Sequence, residues 1–198
     1  MNRPLIAALV SAVMLAPTAT LAHTGHGDAA GFMHGMAHPV SGIDHVMAMI
    51  SVGILAAGIG GRALWLLPST FVSVMAGAAV LGMVGFDFPF FEVGIAGSLV
   101  ALGLAIVYLS SLSFFTGAGL IALFAIFHGY AHGAEMPAGA PGLAYAAGLM
   151  TGTVLLIGTG VGVTLLAGLK DGQLGNRVLQ WGGAAIGLYG LATLSIAL

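Results

Sequence analysis

Two short clusters of histidine and carboxylate side chains interrupt a chain that is otherwise almost entirely apolar. Imidazole and carboxylate groups bind divalent transition metals, and ionisable side chains at membrane depth are costly, so their presence there indicates function. These clusters therefore hold the candidate functional residues. They read His34-x-x-x-His38-Pro39-x-x-Gly42-x-Asp44-His45 and His128-Gly129-Tyr130-Ala131-His132-Gly133-Ala134-Glu135.

The spacing within each cluster is that of one helix face. His128 and His132 are four residues apart, so a helix projects both rings to the same side. Glu135 follows His132 by three residues and stays near that face. His38 and His45 are seven residues apart, which in a continuous helix is the same face two turns on. We expect these side chains to act as metal ligands.

Asp44 and Glu135 supply negative charge to the predicted site. Two carboxylates neutralise a dication, which is otherwise strongly disfavoured at a membrane edge. Asp44 is either a ligand itself or an acceptor for a histidine ring N–H. Pro39 removes a backbone donor and Gly42 loosens the turn, so the helix is predicted to be weak or broken between them.

Four further residues are candidates for capturing the metal or for supporting the ligands. His23 and His26 lie near the start of the chain, His34 precedes the first cluster, and Glu92 begins a later apolar segment. The first two have a simpler interpretation as terminal sequence, and His34 as an interhelical hydrogen-bond partner. In the second cluster, Glu135 has the alternative of a solvated loop charge.

The composition excludes most soluble classes of protein. Of the 198 residues, 59% are hydrophobic and 5% charged, against roughly 25% charged in a soluble domain. The chain is therefore predicted to be an all-α integral membrane protein. A net charge of −2 gives no case for nucleic-acid binding, and without cysteine there is neither a disulfide nor a thiolate site. Neither a Walker phosphate loop nor a zinc-protease motif is present.

The chain divides into a predicted signal peptide, 1–22, and a single membrane domain, 23–198. A basic start, a short apolar run and small residues before position 23 indicate cleavage after Ala22. An uncleaved anchor helix is the alternative. About six transmembrane helices follow, each near the ~20 residues that cross a bilayer. Their predicted ranges are 32–60, 63–84, 91–110, 113–133, 142–169 and 178–198.

The basic residues predict the orientation of these helices. Cleavage of the signal peptide leaves the mature N-terminus outside, in the periplasm, and places Arg62, Lys170 and Arg177 in cytoplasmic loops, as the positive-inside rule requires. Both histidine clusters then fall at the periplasmic end, at similar depth. The sequence thus predicts one site built from two distant segments.

At these residues the chain resembles the HupE/UreJ family of nickel and cobalt permeases. The resemblance extends over the whole chain and is strongest in the two clusters. A third, weaker motif is 92–98. One departure is Ile157, which follows Leu156 where family members often carry a histidine. The resemblance implies uptake of Ni²⁺ or Co²⁺ across a bacterial inner membrane, linked to the maturation of nickel enzymes such as hydrogenase and urease.

The leading hypothesis is a secondary transporter for Ni²⁺ or Co²⁺, not an enzyme, with no permanently bound cofactor and no ATPase. Its partners are the transported ion and the lipid bilayer. The residues alone leave other classes open: a membrane haem or redox protein with paired histidine ligands, a di-metal oxygenase, and a metal sensor that does not transport. The predicted ligands are His38, Asp44, His45, His128, His132 and Glu135.

Overall fold

A computed structural model describes residues 28–137, 139–166, 168–169 and 172–198. In these ranges the regular structure is helical, with seven α-helices and a short 3-10 turn at Leu109–Ser111. The predicted signal peptide, His23 and His26 lie outside the described residues. The helices are α1 (Asp28–Ser41), α2 (Ile43–Ile59), α3 (Ala63–Met83), α4 (Phe91–Val107), α5 (Phe114–Ala134), α6 (Gly142–Leu166) and α7 (Gly172–Ala197).

The prediction of an all-α integral membrane protein is confirmed. Among the described helices, α3, α5 and α6 are each long and apolar enough to cross a membrane, and α1 with α2 passes the same test as a bent pair. Helix α4 is apolar but has 17 residues. Each predicted apolar segment coincides with helix, although α7 begins at Gly172, earlier than expected. The count of six spans stays a prediction.

The first predicted segment is not one straight helix. It is broken at Gly42, and the axes of α1 and α2 differ by 84°. Gly42 is extended, with φ −107° and ψ 125°, and Pro39 before it has no backbone N–H to donate. A Cβ on Gly42 would lie 2.6 Å from Asp44 Oδ1, so any larger residue at this position would clash with the Asp44 carboxylate. The prediction that His38 and His45 share a face of a continuous helix is therefore wrong, because the bend separates them.

Glycine contacts set the position of α5, the helix that carries the second cluster. A Cβ on Gly129 would overlap the backbone of Met75, and one on Gly133 would overlap that of Ala79. Helices α3 and α5 therefore pack backbone against backbone, as small residues permit in membrane proteins. Each glycine directly follows a histidine, so this close packing fixes where His128 and His132 project.

The fully buried apolar core lies between α2, α3, α4 and α5. Within the described residues its largest members are completely shielded and carry no ionisable group. They are Met49, Leu55, Leu67, Phe71, Met75, Leu99, Leu102, Ile106 and Ile121. This core continues along the helices from the histidine-bearing end, so the polar cluster is confined to one end of the bundle.

Candidate metal site

Three helices bring the two predicted clusters together. The end of α1 supplies His38, the start of α2 supplies Asp44 and His45, and the end of α5 supplies His128 and His132. The first and second clusters are more than eighty residues apart in the chain. The bend at Gly42 makes the meeting possible, because it lets α1 and α2 approach α5 from different directions.

His45, His128 and His132 form an inner trio of buried rings. The ring centroids of His45 lie 5.0 Å from those of His128 and 4.5 Å from those of His132. His128 and His132 are fully shielded and His45 is 8% exposed. Imidazole nitrogens bind first-row ions such as zinc at about 2.0–2.1 Å. Rings this close are therefore within reach of one shared ion.

The inner trio contains buried polar atoms that lack a partner. Among the described side chains, four ring nitrogens make no hydrogen bond: His45 Nε2, His128 Nδ1, and both Nδ1 and Nε2 of His132. An unpaired buried polar group costs about 1–3 kcal/mol, so such groups normally mark an absent ligand or an ordered water. Three neighbouring histidines with unpaired ring nitrogens have the donor chemistry of a divalent-cation site.

The trio is not a ready-made coordination shell. Within the described part of the chain, no group of three His, Asp or Glu side chains is arranged to hold a metal ion. The rings are close enough, but their free nitrogens do not converge. An ion bound by all three rings would therefore require a rearrangement, for which His132 is free because neither of its ring nitrogens makes a hydrogen bond.

Asp44 acts as an orienting acceptor for His45. Its Oδ1 lies 3.0 Å from the ring Nδ1 and also accepts the backbone N–H of His45 at 2.9 Å. A carboxylate can only accept here, so Nδ1 carries the proton and Nε2 keeps its lone pair. A carboxylate behind a histidine in this manner fixes the tautomer and raises the basicity of the ligand nitrogen.

His38 and Glu135 form an outer pair nearer the surface. His38 Nε2 lies 3.2 Å from Glu135 Oε2, and their side chains are 21% and 51% exposed. The hydrogen bond from His38 lowers the pKa of the Glu135 carboxyl below its usual value, and partial burial opposes this shift. The centroid of the His38 ring is 5.0 Å from that of His132, so the outer pair adjoins the inner trio.

A cavity of about 290 Å³ opens beside the trio. Asp44, His45, Glu92 and Glu135 line its polar side, and Thr193 of α7 closes it with neighbouring apolar residues. Glu92 is exposed at the first turn of α4. The cavity therefore collects three carboxylates around an entrance to His45, which favours entry of a hydrated cation.

Two other predicted residues lie apart from this arrangement. His34 is exposed on α1, and no described contact joins it to the trio. Ile157, the departure from the family pattern, is buried in the core in the second half of α6. It lines an apolar cavity with Pro68 and Val161.

The structure adds two residues that the motifs did not single out. Ser98 Oγ of α4 lies 3.0 Å from His128 Nε2, and the Tyr145 hydroxyl of α6 donates to the His132 carbonyl oxygen at 3.4 Å. Ser98 ends the weak third motif, but a buried serine in an apolar helix gives no signal of its own. Only the packing of α4 against α5 reveals its partner.

These features define a class: a multi-pass α-helical membrane protein with buried histidines and partly exposed carboxylates clustered at one end of the bundle. A family model described as HupE / UreJ protein matches residues 11–193. The chain belongs to the HupE/UreJ family, a transporter family associated with nickel and cobalt uptake. The predicted membership is therefore confirmed.

A curated relative supports the same assignment. The chain is 39% identical over 184 residues to the protein called "Protein HupE" from Rhizobium leguminosarum bv. viciae. The alignment covers 92% of this chain and 94% of that protein. No solved structure matches the chain.

Proposed function

We propose that this protein is a secondary permease that takes up Ni²⁺, with Co²⁺ as a second substrate, through the histidine and carboxylate cluster. The observation that carries the proposal is the inner trio, in which buried ring nitrogens without partners lie on rings 4.5 and 5.0 Å apart. Family membership supports the transport of nickel or cobalt. The cluster supplies the nitrogen and oxygen donors that these ions accept.

The arrangement suggests a route in which the ion loses water in steps. The carboxylates Asp44, Glu92 and Glu135 face the cavity and attract a hydrated cation. His38 and Glu135 stand next to it, and His45, His128 and His132 lie deeper. Donors change along this route from exposed carboxylate to buried imidazole. Each of these steps replaces water by a protein ligand, so the ion is not left bare on its way to the trio.

The proposed orientation places the cluster at the periplasmic side of the bacterial inner membrane. Arg62 lies beyond the far end of α2, whose 17 residues span about 25 Å at ~1.5 Å each. A basic residue at the end opposite the cluster fits the positive-inside rule. Removal of a signal peptide, 1–22, would leave domain 23–198 with His23 first, and N-terminal sequencing of the purified protein tests that cleavage.

Close packing of the rings favours an ion over a haem. A haem between two axial histidines separates their rings by the thickness of the macrocycle and needs wide clearance around it. The inner rings contact each other directly, at centroid distances of 4.5 and 5.0 Å. A visible absorption spectrum of the purified protein distinguishes these possibilities, since a haem protein would show intense bands that a permease lacks.

Uptake of radioactive nickel by proteoliposomes tests the proposal. Wild-type protein is expected to accumulate Ni²⁺, with unlabelled Co²⁺ competing. His45→Ala and His132→Ala are expected to abolish that uptake, whereas His34→Ala serves as the matched histidine control on an exposed position. Purified wild-type protein that moves neither Ni²⁺ nor Co²⁺ would disprove transport, and equal uptake by all variants would disprove the site.

A further inference from the structure

Ser98 connects α4 to the inner trio through a fully buried hydrogen bond. Its hydroxyl oxygen lies 3.0 Å from His128 Nε2 and 2.6 Å from the carbonyl oxygen of Ile95. Ser98 and His128 are both fully shielded from solvent. Bulk solvent therefore does not reach either group, and the two contacts indicate where the protons lie.

The proton of the serine decides the tautomer of the histidine. A hydroxyl has one hydrogen to donate, and the Ile95 carbonyl oxygen can only accept it. The serine oxygen must then accept at its second contact, so His128 Nε2 carries a hydrogen and donates it. In neutral imidazole the other nitrogen is the acceptor. Nδ1 of His128 thus has a free lone pair, and it has no hydrogen-bond partner.

His45 is held in the opposite tautomer by a different group. Asp44 accepts from its Nδ1, which leaves Nε2 with the lone pair. The free nitrogens of His45 and His128 are both buried and without partner, and the two ring centroids are 5.0 Å apart. Each histidine therefore has one nitrogen bound to an orienting group and the other available to a ligand.

We propose that Ser98 is a positioning residue for metal binding: it holds His128 in the Nε2–H tautomer, so that Nδ1 is offered to the divalent cation. This inference rests on the proposed function. In this proposal Ser98 orients His128 as Asp44 orients His45, but Ser98 carries no charge. Groups that orient metal-bound histidines typically contribute 10–100-fold to affinity.

A buried serine elsewhere in the bundle provides a matched control. Ser51 of α2 is fully shielded, and its hydroxyl donates to the Met47 carbonyl oxygen at 2.7 Å. The structure gives it no histidine partner. Ser51→Ala removes the same atom from the same kind of environment, so it measures the general effect of losing a buried helical hydroxyl.

The first experiment compares Ni²⁺ uptake by proteoliposomes containing wild type, Ser98→Ala, Ser98→Thr and Ser51→Ala. We expect Ser98→Ala to raise the KM for Ni²⁺ by about tenfold or more, with a smaller change in maximal rate. Ser98→Thr keeps a hydroxyl and is expected to recover most of the affinity. Ser51→Ala is expected to match wild type. An equal KM in the two alanine variants would overturn the inference.

The second experiment reads the tautomer directly, without transport. Nitrogen-15 spectra of ring-labelled protein, with His128 assigned by its loss in His128→Gln, are expected to show a protonated Nε2 and an unprotonated Nδ1. Ser98→Ala is expected to give a mixture of tautomers. A protonated Nδ1 in wild type would overturn the inference even if uptake occurs. Wild-type protein with the expected tautomer but no uptake would count against the proposed function alone.

Discussion

The outer pair and the inner trio both contain histidine, but they differ in exposure and in hydrogen bonding. His38 and Glu135 are partly exposed, and they bond to each other at 3.2 Å. His45, His128 and His132 are buried and leave four ring nitrogens without a partner. The outer pair needs no ion to satisfy its polar atoms. The inner trio leaves buried polar atoms without hydrogen bonds, which is unfavourable until a ligand or a water pairs with them.

This difference suggests that the two regions have different roles on the proposed route of the ion. An exposed pair contributes little free energy, about 0–1 kcal/mol, so it can open and close around an arriving cation at small cost. The inner trio gains more from a ligand because binding removes the penalty of unpaired nitrogens. The outer pair is therefore suited to capture and the inner trio to binding. Substitutions in the two regions should consequently have effects on Ni²⁺ uptake that differ in kind as well as in size.

The largest expected effect comes from His132, whose two ring nitrogens are both free. His132→Ala removes a ligand from the centre of the cluster, and we expect Ni²⁺ uptake to fall at least about 100-fold at every metal concentration. Initial rates in proteoliposomes measure this loss. Uptake by His132→Ala close to that of wild type would contradict a role for His132 as a ligand.

A smaller loss is expected when the acceptor behind His45 changes. Asp44→Asn keeps the size of the side chain but removes its charge, so it weakens control of the His45 tautomer. We expect the KM for Ni²⁺ to rise between about 10- and 100-fold. Asp44→Glu, which retains the carboxylate, is the control. Kinetics of Asp44→Asn that match wild type would show that this carboxylate does not orient the ligand.

In the outer pair, Glu135→Gln tests capture. The carboxylate is half exposed, so its loss should matter most when Ni²⁺ is scarce. We expect uptake at limiting metal to fall by up to about tenfold, with the maximal rate nearly unchanged, because long-range attraction acts on entry. Raising the ionic strength should reduce the difference from wild type. A loss equal to that of His132→Ala would remove the distinction between the two regions.

The smallest effect is expected at His34, on the exposed side of α1. His34→Ala should change uptake by no more than about twofold, the size of a typical surface substitution. The same uptake assay measures it. A large loss here would extend the site beyond the outer pair.

Several parts of the site were accessible to prediction because their signals are local. The i, i+4 spacing of His128 and His132 is fixed by helix geometry, and two polar clusters stand out in a sequence with 5% charged residues. Pro39 and Gly42 marked the weak point of the first helix. However, neither residue indicates the angle between the helices on its two sides, so the 84° bend between α1 and α2 was not predicted. The angle is decided by what α1 and α2 pack against.

The sequence by itself determined that the chain is helical and membrane-embedded, and which residues are candidates for its chemistry, because hydropathy and residue type act without reference to distant neighbours. Only the tertiary structure decided which histidines meet, which are paired and which are left with free nitrogens. His38 and His45 belong to one motif but to different regions of the site. Ser98 belongs to neither cluster and yet bonds to His128. Such relations depend on close approach of helices that are distant in the chain, and this approach is set by packing, above all at Gly129 and Gly133.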